Sequence, residues 1–496
     1  MMSFDLIKKI LWPDLPKYPN CRLCAYEELL PEGLTMGTLY IGRPGTGKTT
    51  SLARHLYESF KKYPKRSALV LDASGPVSKD FLRFLLREPK QEFERLSRRV
   101  VYDQLGNPEW VVPFPEFSHL YGGSFEEQAQ RLSQNLAKLA PELVRDAPFL
   151  AGLGLREIAP QLFRVLASIT NDRNETWQST EAKKLLTDPP LLRRVLAKYG
   201  YKVPQAKWYF EKMFLELKPT ERELRTYALL SMLGTIETPE TRARVGFYRP
   251  GWTPREAVKN GLFVLVDGSR LINQRNTQHY LFTQVYSMFM NEINKRDPGN
   301  PNDEPVALVM DEVYTLLSIP GMAEEVAMLS PLYRSRKLQL YIVLQSLSQL
   351  APNLKEQIWS IGNIVSFAIS NFEEAYEIAQ QLFKYDPRTI KMDARSDMGQ
   401  PIVEPDRGQY LQIANDIQRL AHRECIIRRY QSEQVLDKNI LWVKKTKNVP
   451  NTPTAMSVEE LKDKLLKERG IRVQDALEVI KQRTEVKSGT VSPPQI

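Results

Sequence analysis

The sequence predicts an α/β fold: a parallel-rich central sheet interrupted by an inserted all-α domain. Three observations carry that prediction. Short apolar runs alternate with helical patterns up to about residue 120, and again from about residue 251. Between them, helical patterns follow one another with no convincing strand. The first apolar run leads straight into a glycine-rich stretch that opens a helix. Alternating strands and helices are the rhythm of a parallel sheet, because each crossover helix covers a face of the sheet.

Taken in order, residues 1–30 form an N-terminal segment with two lysines and a short apolar run, broken by Pro13, Asp14 and Pro16. That run is too short for a signal peptide. A docked terminal helix is expected, with contact to a membrane surface as the alternative. Residues 31–120, with the glycine-rich stretch Gly42-Arg43-Pro44-Gly45-Thr46-Gly47-Lys48-Thr49 that fits G-x-x-x-x-G-K-[ST], read as the first part of a P-loop ATPase domain. "GTLYIG" is a buried strand, and Leu52, Leu56 and Phe60 recur every four residues as one face of the helix that follows. "ALVLD" is a second strand ending in Asp72, and "VVYDQLGNPEWVVPF" reads as a strand with a turn. Residues 121–250 carry "FEEQAQRLSQNLAKLA", "LREIAPQLFRVLASI", "LLRRVLAKYG" and "ERELRTYALLSMLGTI", which read as an all-α insertion. Residues 251–435 resume the sheet with "GLFVLVDGS", "PVALVMDEVYTLL", "LQLYIVLQSLSQL", "NIVSFAIS" and "RECIIRRY". In the final part, 436–496, prolines stand at 450, 453, 493 and 494. Residues 456–483 read there as one charged amphipathic helix, and the last dozen as disordered.

Bulk properties narrow the classes. With 496 residues the chain can bury large cores in two or three domains. A formal net charge of +10 favours an anionic partner without naming one. No apolar run approaches the roughly 18 residues of a membrane span. Three cysteines occur, and the lone pair Cys21 and Cys24 has no complementary His or Cys pair to complete a zinc site. The expectation is a reduced, cytoplasmic protein without structural metal.

The chemistry begins with Gly42-Arg43-Pro44-Gly45-Thr46-Gly47-Lys48-Thr49, which fits G-x-x-x-x-G-K-[ST] at every fixed position. Gly42, Gly45 and Gly47 let the backbone curl so that its N–H groups face phosphate oxygens, with Pro44 and Thr46 between them. The helix that starts here, with Thr50 in its first turn, points its positive end at the same anion. Lys48 would reach the β- and γ-phosphates of ATP, and Thr49 would offer its hydroxyl to Mg²⁺. The second element is "PVALVMDEVY". In a P-loop fold its strand-end Asp311 would help hold Mg²⁺ and Glu312 would orient or deprotonate water. A Glu at that place argues for hydrolysis. Asp72 and Asp267 also end strands, without a following Glu. The third element is "RSRKLQLYIVLQ". Gln345 ends a strand and would sense the γ-phosphate. Arg334 and Arg336 precede it and could reach a neighbouring subunit's γ-phosphate or simply be solvated charges.

The ordered set of P-loop, helical insertion, "VMDE", Arg-Lys, strand and terminal Gln resembles the FtsK–HerA superfamily of ring-shaped DNA-pumping ATPases. Within it the likeness is to conjugative and type IV secretion coupling proteins and their HerA-like relatives, over residues 30–435. "ALVLDASGPVSKDFL" is similar to the strand and turn after the family's P-loop. Pro113-Phe114-Pro115 departs from a Pro-Phe-Asn-Pro-like segment by lacking the Asn. The resemblance implies a RecA-like P-loop NTPase domain and a homo-hexamer with DNA in its pore. It implies that Lys48 and Thr49 bind phosphate and Mg²⁺, Asp311 binds Mg²⁺, Glu312 activates water and Gln345 senses phosphate. Arg336 is the preferred trans-acting arginine, with Arg334 second. Membrane helices or a β-barrel, common at the N-terminus in these groups, are not visible. A separate membrane secretion partner or nuclease is therefore expected.

Three readings follow: an ATP-driven DNA translocase, a related ATPase that moves or remodels protein, and a nucleotide-gated P-loop scaffold. Stimulation of hydrolysis by DNA separates the first from the second. Slow turnover indifferent to polymer marks the third.

Overall fold

A computed structural model describes residues 37–143, 153–170, 175–300, 302–312, 317, 322, 325–326, 334–350, 352–359, 361–382, 390–395, 401–403, 406–428, 442–445, 454 and 456–484. The N-terminal segment with Cys21 and Cys24, the prolines at 450 and 453, and the last dozen residues lie outside these. Strands are numbered in chain order: β1 (Thr38–Ile41), β2 (Ser67–Asp72), β3 (Val100–Gln104), β4 (Trp110–Val111), β5 (Phe263–Asp267), β6 (Val306–Asp311), β7 (Leu338–Leu344), β8 (Asn363–Ser366), β9 (Ile390–Arg395), β10 (Pro401–Val403), β11 (Glu424–Arg428), β12 (Trp442–Lys445) and β13 (Ile471–Arg472).

The chain divides into two compact units. The first comprises residues 1–99, 260–263 and 293–458. Its strands run in the order β12-β11-β8-β1-β7-β6-β2. Pairs β8/β1, β1/β7, β7/β6 and β6/β2 are parallel, and β11 is antiparallel to both β8 and β12. The parallel-rich α/β reading is borne out. Every residue of β1, β2, β6, β7 and β8 is buried, which is why these strands read as apolar runs rather than as alternating patterns. The helix Lys48–Lys62 buries Leu52, Leu56 and Phe60 completely and ends on Lys61 and Lys62, whose charges suit its negative C-terminal end.

The second unit comprises residues 100–259, 264–292 and 459–496. Helices dominate it, including Phe125–Leu143, Ala159–Ser168, Pro189–Tyr199, Pro219–Leu233, Pro239–Gly246 and Arg275–Asn294. Prolines stand in the first turn of several of them, where a missing N–H costs nothing. Two buried ion pairs hold distant segments: Arg244 to Asp103 at 2.6 Å and Arg483 to Glu181 at 2.5 Å.

The expected single helix over 456–483 is instead two, Val458–Arg469 and Val473–Thr484. Gly470 breaks it, because a Cβ there would lie 2.4 Å from the Leu466 carbonyl oxygen and 3.1 Å from that of Val111. The next two residues form β13, antiparallel to β4. Val473 and Ala476 then pack with Val111 and Ala243 in a small apolar core. The charged composition of this stretch hid that buried face.

Candidate active site

All strands of the parallel core end on the same side, and the residues singled out from sequence gather there. Gly42 follows β1 and donates its N–H to the Leu344 carbonyl at the end of β7 (3.3 Å), while Arg43 donates to Ala368 beyond β8 (2.8 Å). The loop is thus pinned to both neighbouring strands. Gly42, Gly45 and Gly47 have φ of 155°, 77° and 100°, values that side chains beyond glycine rarely adopt. Nothing would meet a Cβ at Gly45 within 4 Å, so there the backbone conformation, not crowding, calls for glycine. Pro44 and Gly45 are exposed, whereas Thr46 is buried and donates its hydroxyl to the Arg43 carbonyl at 2.8 Å. Thr49 is half-buried in the first helical turn. Thr50 faces elsewhere, donating to Asp80 at 2.7 Å.

Lys48 folds back over the loop, donating from Nζ to the carbonyls of Gly42 and Arg43, the latter at 2.9 Å. Burial pulls its ammonium down to about 8, against the opposing charges of Asp311 and Glu312. Asp311 ends β6 and is 3 % exposed. Burial pushes its carboxyl up to about 7, the Glu312 charge pushes the same way, and Lys48 opposes both. Among the described residues Asp311 has no ion-pair partner at salt-bridge distance. Glu312 is half-buried with φ 49°, a left-handed conformation uncommon outside glycine that turns the chain sharply off the strand.

β7 lies between β1 and β6, so Gln345 emerges between the loop and the acidic pair. Its side chain is exposed. The turn after it is fixed by Gln349, whose Oε1 accepts from the Gln345 N–H at 3.2 Å. Glu374 also accepts from Ser346 Oγ (3.2 Å) and from the Leu347 N–H. Glu374 carried no sequence signal, since it sits in an ordinary helix start at Phe372–Leu382.

Arg334 and Arg336 are not brought to this group. They form a short turn at the start of β7, the opposite end from the loop. Seven strand residues separate the two ends, roughly 20 Å. Arg336 is half-buried, and its Nε donates to the Arg296 carbonyl at 3.3 Å. Asp72 pairs in register with Asp311 but spends its oxygens on the N–H groups of Gly75 (2.8 Å) and Ser78 (2.7 Å), capping the next helix. Asp267, in the second unit, accepts from the Tyr102 hydroxyl at 2.6 Å and lies 3.7 Å from Lys462.

Among the described residues no helix is long and apolar enough to cross a membrane, and no group of three or more His, Cys, Asp or Glu could hold a metal ion by itself. No protein-family profile matches the sequence, and no curated protein matches it. Solved structures do. The bacterial conjugative coupling protein TrwB, lacking its first 70 residues and unbound, superposes with a TM-score of 0.55 at 13 % identity, covering 87 % of this chain and 89 % of that one. TrwB with ADP and Mg²⁺ gives 0.52 at 12 % identity over 86 % and 89 %. TrwB with a non-hydrolysable ATP analogue gives 0.52 at 13 % over the same shares. With a P-loop between parallel strands and an extensive helical region, this chain has the fold of the conjugative coupling protein TrwB.

Proposed function

We propose that this protein is an ATP-hydrolysing, ring-forming DNA translocase of the conjugative coupling type. One observation carries the reading: Gly42–Thr49, Asp311-Glu312 and Gln345 lie at the same ends of three adjacent strands, β1, β6 and β7, with β7 in the middle. The nucleotide complexes of TrwB, which shares the fold, support ATP as the ligand.

The residues fit Mg²⁺ together with a nucleotide phosphate. Asp311 is a buried carboxyl with no cation at salt-bridge distance among the described residues, and Thr49 sets a hydroxyl at the helix start. These two would hold the ion, which neutralises charge on the β- and γ-phosphate oxygens. Lys48 would exchange a backbone carbonyl for a phosphate oxygen, and the N–H groups of the loop would take the rest. Glu312 accepts a proton from the attacking water as the water oxygen bonds to the γ-phosphorus. The bond to the β–γ bridging oxygen breaks. Gln345 would read whether the γ-phosphate is present.

Arg336, far from the loop of its own chain, would serve a neighbouring subunit of a homo-hexamer, with Arg334 as the second choice. Basic groups of the pore would grip the DNA backbone without reading sequence. The test is steady-state ATP hydrolysis with and without single- and double-stranded DNA. Stimulation by DNA is expected. Hydrolysis that ignores both DNAs would favour a protein-moving ATPase, and no hydrolysis a P-loop scaffold.

A further inference from the structure

The loop has a neighbour that no motif announces. Arg423 lies about 375 residues downstream, between the helix Asp406–Arg419 and β11. Its N–H donates to the Thr46 carbonyl at 3.0 Å, inside the phosphate-binding loop. Its stem crosses the loop at Gly47, where a Cβ would come within 2.9 Å of Arg423 Cγ. Gly47 therefore serves two ends, its φ of 100° and the room for this stem.

Two further features bear on Arg423. Its φ is 67°, a left-handed conformation that strains a non-glycine residue. Glycine would hold the same turn without that cost, so the side chain is kept at some expense in strain. One guanidinium nitrogen, Nε, is buried without a partner, and among the described residues the side chain makes no hydrogen bond or ion pair. Arg428, at the other end of the same strand, by contrast donates to the Gln381 carbonyl. A half-buried guanidinium left without an acceptor, laid across a loop built for anions, calls for an anionic ligand. Its planar fork matches phosphate better than any other side chain does.

We infer that Arg423 is a phosphate-binding residue for the nucleoside triphosphate held by the loop of its own chain. The inference rests on the nucleotide reading above. Because the turn is bonded to Thr46, Arg423 would also tie β11 and the helix before it to the occupancy of the loop.

The test uses the full chain and two substitutions chosen to fail differently. Arg423→Met keeps the stem on Gly47 and removes the guanidinium. Arg423→Gly removes the stem and relaxes the backbone. Binding of fluorescent ADP is measured, with inorganic tripolyphosphate as competitor, alongside the melting temperature without ligand. Both variants are expected to weaken ADP and tripolyphosphate by the same factor, about ten- to a hundredfold, whichever way the melting temperature moves. Should Arg423→Met bind ADP like the wild type, the side chain merely packs and the inference is overturned. If ADP weakens while tripolyphosphate does not, the contact is to base or ribose, and the phosphate assignment is wrong. Lys48→Ala is the control. Loss of ADP binding there but in neither Arg423 variant defeats this inference alone, whereas a wild type that binds no ADP defeats the nucleotide reading with it.

Discussion

Buried acids meet opposite fates in the two units. In the second, Asp103 bonds Arg244 at 2.6 Å and Glu181 bonds Arg483 at 2.5 Å, each pair nearly inaccessible to water. In the first, Asp311 is as deeply buried, yet its nearest favourable charge, Lys48, is bonded instead to loop carbonyls. A buried charge needs a partner, and removing one from an established pair costs several kcal/mol. The arginine-bonded acids therefore read as structural. The acid without one reads as reserved for a ligand; burial, with the Glu312 charge, raises its carboxyl to about 7.

This contrast can be broken in graded ways. The largest effect should come at Glu312→Gln, with kcat for ATP falling by about a thousandfold while ADP binding persists in equilibrium titration. Next is Arg483→Ala. It leaves Glu181 buried and uncompensated, and should lower stability by about 3–5 kcal/mol in denaturant unfolding. Any ATP turnover per folded molecule should be retained. If instead turnover collapses at full stability, the acids of the second unit are not merely structural.

Asp311→Asn sharpens the comparison through pH. The folded chain holds the Asp311 proton more tightly than the unfolded chain, whose carboxyl has the ordinary value of 3.8. Wild-type stability without nucleotide should therefore fall as pH rises from about 4 through about 7. The variant should lack that component. It should be more stable than wild type at pH 8, by at most about 4 kcal/mol, and similarly stable at pH 4. It should also lose Mg²⁺-dependent hydrolysis. The smallest effect is expected at Gln345→Ala, about a tenfold loss of kcat, since its exposed side chain supplies one hydrogen bond to the reaction.

What the sequence disclosed follows from how local each signal is. The loop, its strand and its helix lie within Thr38–Phe60, and periodicity alone outlines them. β6 is apolar up to Asp311 and β7 is apolar except for Gln339, so the polar residues Asp311 and Gln345 at their ends stood out. Arg423 and Glu374 meet the loop and the Gln345 turn only through sheet order, which brings β8 and its following segments beside β1. No spacing rule reaches that far. The C-terminal stretch misled because its surface charges dominate the pattern, whereas its structure turns on one glycine and a few small apolar residues. Arg336 was legible as a basic residue before a strand. That it stands at the far end from its own loop needed the strand direction.

In the proposed motor, ATP spent at the Asp311-Glu312 end of the sheet moves DNA. The most direct measurement is ATP-driven displacement of streptavidin from end-biotinylated DNA, on single and double strands. Wild-type protein with ATP and Mg²⁺ should strip streptavidin from at least one of them, and Glu312→Gln or a non-hydrolysable analogue should not. Vigorous hydrolysis stimulated by DNA with no displacement from either would contradict the account.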